Sequence, residues 1–254
     1  MLATVFGCIT APSTNPDYPA TDQAVEAEYR RLREHPAPPP RPIVVLNGYR
    51  APFWQASGVR SRLIELTGAA ADRVIYVSYF WSSDTADATR RAVEAVQAAW
   101  PSGRADQTVE GDVVGISMGG LIGRNAAIAE PGRARLNVRR LFTLASPHLG
   151  PLLAENIAPD AAARDLAPGS AFLSRLDGAL AAADYELVCY ALLRDAWVGA
   201  TRTAPPGRQP IWCAGPVIAS HQSIGSNRRV LVDLARRLRG ETPWCREGSP
   251  PPSD

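Results

Sequence analysis

The chain has 254 residues, enough for one large domain with a well-buried core, and a net charge of +2 at neutral pH. All 27 basic residues are arginine, which excludes a Schiff-base lysine and the lysine of a phosphate-binding P-loop. The arginine pairs at 30–31, 90–91, 139–140, 228–229 and 236–237 are spread over separate segments and balanced by 25 acidic residues, the pattern of a solvated surface rather than of a nucleic-acid partner. The cysteines Cys8, Cys189, Cys213 and Cys245 show no CxxC spacing, and His35, His148 and His221 lie far apart without HxxH or HExxH, which argues against a zinc site.

Met1 to Ile9 is largely apolar and runs through Val5-Phe6-Gly7-Cys8 into a Thr/Pro/Ser/Asn stretch ending at Ala20. It resembles the end of a bacterial lipoprotein signal, in which the cysteine becomes the lipidated first residue, although it has no basic leading region and its apolar part is shorter than a full signal. That resemblance implies membrane anchoring through Cys8 in a bacterial cell envelope. The alternative is a cytoplasmic protein with a disordered apolar N-terminus. Residues 1–20 are therefore expected as signal remnant or flexible tether, 21–240 as a single domain, and the Pro- and Ser-rich 241–254 as a disordered tail.

Thr21 to Glu34 carries Val25, Tyr29 and Leu32 at helical spacing and stops before Pro36. After a proline linker, Ile43-Val44-Val45-Leu46 reads as a buried parallel strand. Strands and helices then alternate: helix over Trp54 to Leu66, strand over Arg73 to Phe80, and helix over Thr85 to Trp100, capped near Ser83 or Asp84. Next come a strand over Thr108 to Ile116, a helix over Leu121 to Ala129, a strand over Arg140 to Ala145, and a helical stretch over Ala161 to Ala183 broken around Pro168-Gly169. The strands Glu186 to Leu193 and Gln209 to Ala214 and the amphipathic helix Ser226 to Arg239 close the pattern. Such alternation implies right-handed crossovers and a parallel sheet covered on both faces. Cys189 and Cys213 fall in two runs that read as neighbouring strands, so buried thiols and a disulfide both stay open.

Between the strand and helix around residue 117 lies Gly115-Ile116-Ser117-Met118-Gly119. A serine hydroxyl attacks a carbonyl only when it is exposed and held in position, which a sharp strand-to-helix turn achieves if nothing crowds it two residues away on either side. Both of those positions are glycine.

From Pro42 to Gly240 the chain resembles the α/β-hydrolases of the lipase and esterase type. The resemblance implies an α/β-hydrolase fold, with a mostly parallel sheet of about six strands between helices, and a triad in the order serine, acid, histidine. His221 follows the last strand in Ser220-His221-Gln222-Ser223, similar to the family's histidine loop, and is the candidate general base. His148, in Ser146-Pro147-His148-Leu149-Gly150, resembles a stretch whose role in many lipases is architectural. Asp195, ahead of Ala196-Trp197-Val198, resembles the family's Asp-x-x-Val pattern and is the candidate acid; Asp184 and Asp233 do not stand at a strand's carboxyl end. Asn47-Gly48-Tyr49 is similar to the family's His-Gly-x, with Asn47 a departure, so the oxyanion donors implied are the backbone N–H groups of Tyr49 and Met118.

Phe53, Trp54, Trp81, Leu149, Trp197 and Val198 stand on loops at strand ends and are the candidate substrate contacts. Together these features point to hydrolysis of an apolar or lipid ester through an acyl-enzyme on Ser117, without metal or organic cofactor. Acyl transfer on the same residues, and a catalytically silent envelope-anchored binding protein, are the rival readings.

Overall fold

A short run of large apolar residues leaves no face for water, and Ile43-Val44-Val45-Leu46 is buried at every position as strand β1 (Ile43–Leu46). It lies at the heart of a computed structural model that describes residues 14–153 and 160–252. With β2 (Val74–Val77), β3 (Gln107–Ile116), β4 (Arg135–Leu144), β5 (Glu186–Leu192) and β6 (Ile211–Cys213) it forms one six-stranded sheet in the order β2-β1-β3-β4-β5-β6. All neighbouring pairs are parallel.

Side chains alternate along each strand, so each strand feeds two cores. Ile43 and Val45 pack beneath α1 (Asp22–Glu34), α2 (Phe53–Thr67) and α8 (Arg228–Leu238), whereas Val44 and Leu46 face α3 (Thr85–Ala99), α4 (Met118–Ala127), α5 (Ala161–Leu166) and α6 (Ala171–Leu180). Several helices begin where a polar side chain satisfies free backbone N–H groups: Asp84 caps α3, Ser170 caps α6 after the Pro168-Gly169 break, and Asn227 caps α8. In α8 the buried Val230, Leu231, Leu234 and Leu238 make one stripe. Because β2 and β3 lie on opposite sides of β1, and α2 and α4 cover opposite faces, the loops leaving β1 and β3 diverge. That switch point opens a crevice at the strands' carboxyl ends.

Strand β4 begins at Arg135, five residues before the expected start at Arg140, since Arg135 and Asn137 pair with the long β3 at Gln107 and Glu110 despite their polar side chains. Cys189 and Cys213 do sit on adjacent strands, but their side chains enter opposite cores and both are free thiols, as is the buried Cys245. Burial pushes the Cys189 thiol up to about 11 and that of Cys245 to about 12.

The described parts of the expected tether and tail, residues 14–20 and 241–252, make fixed contacts with the domain. Asp233, fully buried in α8, accepts from Tyr190 Oη at 2.7 Å and Arg237 Nε at 2.8 Å on one oxygen and from the N–H groups of Trp244 and Cys245 at 2.8 and 3.1 Å on the other. Trp212 Nε1 donates to Ser249 O, and Asn15 Nδ2 donates to Trp212 O. Tyr18 is buried, with its hydroxyl on Arg229 O. Proline and serine deny these segments a repeating backbone, yet their few aromatic side chains and backbone groups still find fixed partners. Cys8, and the anchoring read from it, lies outside the described residues. Among those described, no helix is long and apolar enough to cross a membrane.

Replacing Asp233 with alanine removes the nearest carboxylate of the nearly buried Arg237 guanidinium and the acceptor of two tail N–H groups. Urea denaturation is expected to show a loss of about 3–5 kcal/mol, and limited proteolysis faster cleavage after residue 240.

Candidate active site

Ser117 occupies the single residue between β3 and α4, with φ 52° and ψ −124°. Such a backbone is strained for any residue with a Cβ, at a cost of about 1–3 kcal/mol. Two features hold it: the Ser117 N–H donates to Leu144 O at 2.8 Å, and the neighbouring glycines let three segments converge. A Cβ on Gly115 would collide with the backbone of Gly120, and one on Gly119 with the carbonyls of Leu46 and Asn47. The close approach to β1 explains why α4 starts at Met118, earlier than its apolar pattern suggests. As the first residue of α4, Met118 has no carbonyl a turn behind it for its N–H, and the helix dipole directs positive potential toward Ser117.

His221 lies in the one-turn helix α7 (Ser220–Ser223), whose Ser220 hydroxyl donates to Leu193 O at 2.8 Å. Its imidazole bridges two groups far apart in the chain: Nδ1 is 2.8 Å from Asp195 Oδ2 and Nε2 is 3.1 Å from Ser117 Oγ. The other carboxylate oxygen, Asp195 Oδ1, accepts the N–H groups of Trp197 and Val198, each at 3.0 Å. An ionised carboxylate only accepts, so Nδ1 carries the proton and Nε2 presents a lone pair to the serine hydroxyl. The Trp197 ring stacks on the imidazole at 5.5 Å between centroids, which restricts its rotation.

His148 has a different setting. It is completely buried, with Nδ1 3.0 Å from Arg124 Nη1 and Nε2 3.1 Å from Thr143 Oγ1. Arginine cannot accept, so Nδ1 must, and burial together with the Arg124 charge holds the ring neutral by pushing its pKa well below the ordinary value. His35 ends α1, far along the chain from these elements.

The loop after β1 carries Asn47, Gly48 and Tyr49. Asn47 is buried, and its Nδ2 donates to Ala51 O and Pro52 O at 2.9 and 3.2 Å, while Tyr79 Oη donates to Asn47 O at 2.6 Å. The departure from histidine at this position therefore still braces the loop. A Cβ on Gly48 would sit 3.4 Å from Ser117 Cβ, so the loop passes directly over the nucleophile. A distant residue clamps it: Asp160 Oδ2 accepts from Tyr49 Oη at 2.6 Å and pairs with Arg50 at 2.7 Å. Burial opposes ionisation of Asp160, but the bonds from Tyr49 and the Ala163 N–H, with the Arg50 charge, outweigh it and lower its pKa. Burial and the carboxylate together push Tyr49 up to about 12.

A cleft of 660 Å³ opens above Ser117 and His221. Of the expected contacts, Trp54, Trp197 and Val198 line it, as does Tyr49 of the loop after β1; Phe53, Trp81 and Leu149 are not among the lining residues. Phe53, at the start of α2, is 58% exposed and packs edge-on against Trp54 in solvent. Trp81 follows the edge strand β2, away from the switch point, and is 86% exposed. Residues not anticipated line the cleft as well: Gln55, Val59 and Arg62 on one face of α2, and Gln222 and Ser226 beyond His221. The i, i+4, i+7 spacing on α2 was a readable signal; nothing in the sequence foretold the Asp160 clamp. Among the described residues no group of three or more His, Cys, Asp or Glu side chains could hold a metal.

No protein-family model matches the sequence, and no curated protein matches it. Solved structures are similar to it. A lipase of Bacillus licheniformis in its mature form aligns with TM-score 0.55 at 18% identity, covering 76% of this chain and 89% of that one. Lipase B of Aspergillus fumigatus aligns at 0.57 and 15%, covering 96% and 64%. The phospholipase PlaB of Legionella pneumophila aligns at 0.57 and 14%, covering 78% and 58%. At these identities the likeness establishes architecture: the chain has the α/β-hydrolase fold.

Tyr49→Phe removes the hydroxyl on Asp160. Amide hydrogen exchange over residues 48–52 is expected to speed up about tenfold, the worth of one hydrogen bond to a charged acceptor, while exchange in β3 and β4 stays unchanged.

Proposed function

We propose that this α/β-hydrolase-fold chain is a serine carboxylic-ester hydrolase acting on apolar or lipid esters. The observation that carries the reading is the unbroken hydrogen-bonded chain from Asp195 through His221 to Ser117, with its tautomer fixed for proton abstraction. His221 Nε2 takes the hydroxyl proton as Ser117 Oγ attacks the ester carbonyl. Asp195 stabilises the imidazolium that forms without itself becoming protonated. The tetrahedral oxyanion draws on the Met118 N–H at the start of α4 and on the N–H of Tyr49 in the braced loop.

Collapse of that intermediate expels the alcohol, protonated by His221, and leaves an acyl group on Ser117. Water then attacks the acyl-enzyme, with His221 again as base, and the acid is released. Trp54, Val59, Leu153, Leu166 and Val198 give the cleft a mainly apolar lining, which supports an ester with a hydrocarbon part. The fit of all three side chains into one chain of bonds counts against a silent binding protein.

Ser117→Ala is expected to abolish both fluorophosphonate labelling and p-nitrophenyl ester hydrolysis while keeping the thermal unfolding midpoint. Asp195→Asn, which frees the imidazole to adopt the wrong tautomer, should lower kcat by roughly 10³- to 10⁴-fold. Undiminished turnover in Ser117→Ala would overturn the proposal.

A further inference from the structure

Among the described residues that line the cleft there is no Asp or Glu, and the charged ones are Arg50 and Arg62. Arg50 is neutralised by Asp160. Arg62 is half-buried and has no carboxylate within salt-bridge distance among the described residues, and Glu65, one turn further along α2, pairs with Arg33 instead. An arginine that lines a mainly apolar cleft without a carboxylate partner can take one from an anion that enters the cleft.

Its place on α2 is informative. Gln55, Val59 and Arg62 form one wall. At the Ser117 end, Gln55 Oε1 is 3.4 Å from the point where a Cβ of Gly48 would sit, the same distance that separates that point from Ser117 Cβ. This oxygen is buried without a hydrogen-bond partner. The Arg62 backbone lies seven residues further, about 10 Å along the helix axis, and its side chain reaches back so that Nη1 is 3.0 Å from where a Cβ of Gly58 would sit. The wall thus begins beside the reacting centre, continues through the apolar Val59, and ends in an unpaired cation.

We infer that the cleft selects esters whose hydrocarbon part ends in a negative group, a carboxylate or phosphate, and that Arg62 is the residue that reads this charge. The inference rests on the ester-hydrolase reading of Ser117. A substrate anion supplies the missing counter-ion in a setting walled from solvent on one side, where a charge-assisted bond is stronger than in water. A neutral ester of the same length leaves the guanidinium unpaired.

The test compares p-nitrophenyl octanoate with the mono-p-nitrophenyl ester of octanedioic acid, which carries the charge on the acyl side. A second pair, octyl octanoate and the octanoyl ester of 8-hydroxyoctanoate, carries it on the alcohol side. Wild-type protein is expected to favour the anionic member of at least one pair by about tenfold in kcat/KM, mainly through KM, with the preference shrinking as salt rises. Arg62→Gln should bring that ratio close to one, Arg62→Glu should reverse it, and Arg62→Lys should restore most of it. Ser117-dependent hydrolysis with no charge preference, or with the same preference in Arg62→Gln, would overturn this inference alone. Absence of Ser117-dependent hydrolysis of all four esters would overturn the ester-hydrolase reading and this inference with it.

Discussion

The site depends on one backbone conformation that its own residue resists. Ser117 sits at positive φ at the end of a strand, and the strain persists because the surroundings leave no alternative: its N–H is bound to β4, and α4 packs through Gly119 onto the carbonyl end of β1. The same close packing brings the loop of Gly48 over the serine and turns the N-terminus of α4 toward it. The constraint that exposes the hydroxyl therefore also sets where a developing negative charge would be met.

The imidazole's state follows from a second constraint, the number of bonds on Asp195. One carboxylate oxygen is occupied by the Trp197 and Val198 N–H groups, which fixes the loop after β5, and the other is left for His221 Nδ1. Loop order and histidine tautomer are thereby linked through one buried side chain. His148 shows the contrast. It lies among β4, β5 and α4 with a fixed tautomer of the opposite kind, its Nδ1 occupied by a donor, and serves to hold Arg124 in the interior.

Much of this architecture was legible in the sequence, for reasons that can be named. Ile43-Val44-Val45-Leu46 announces a doubly covered strand because the run is short, continuous and β-branched, and Asp84 marks a helix start because its side chain satisfies an orphan donor. The convergence of Ser117, Asp195 and His221 into one hydrogen-bonded chain was legible because each follows its own strand, so topology orders them along the chain. What was not legible depends on distant contacts. Tyr49 and Asp160 are 111 residues apart, and the tail around Trp244 is fixed by Asp233 rather than by any regular pattern of its own. The aromatic residues Phe53 and Trp81 misled because position at a strand end does not say which way a side chain points.

The most direct test of this account is the crystal structure of the protein after reaction with an alkyl fluorophosphonate. The account predicts phosphorus bonded to Ser117 Oγ, the phosphoryl oxygen within hydrogen-bond distance of the Met118 and Tyr49 N–H groups, and the alkyl chain running along the α2 wall. An unmodified Ser117, or an adduct whose phosphoryl oxygen points away from both amides, would contradict it.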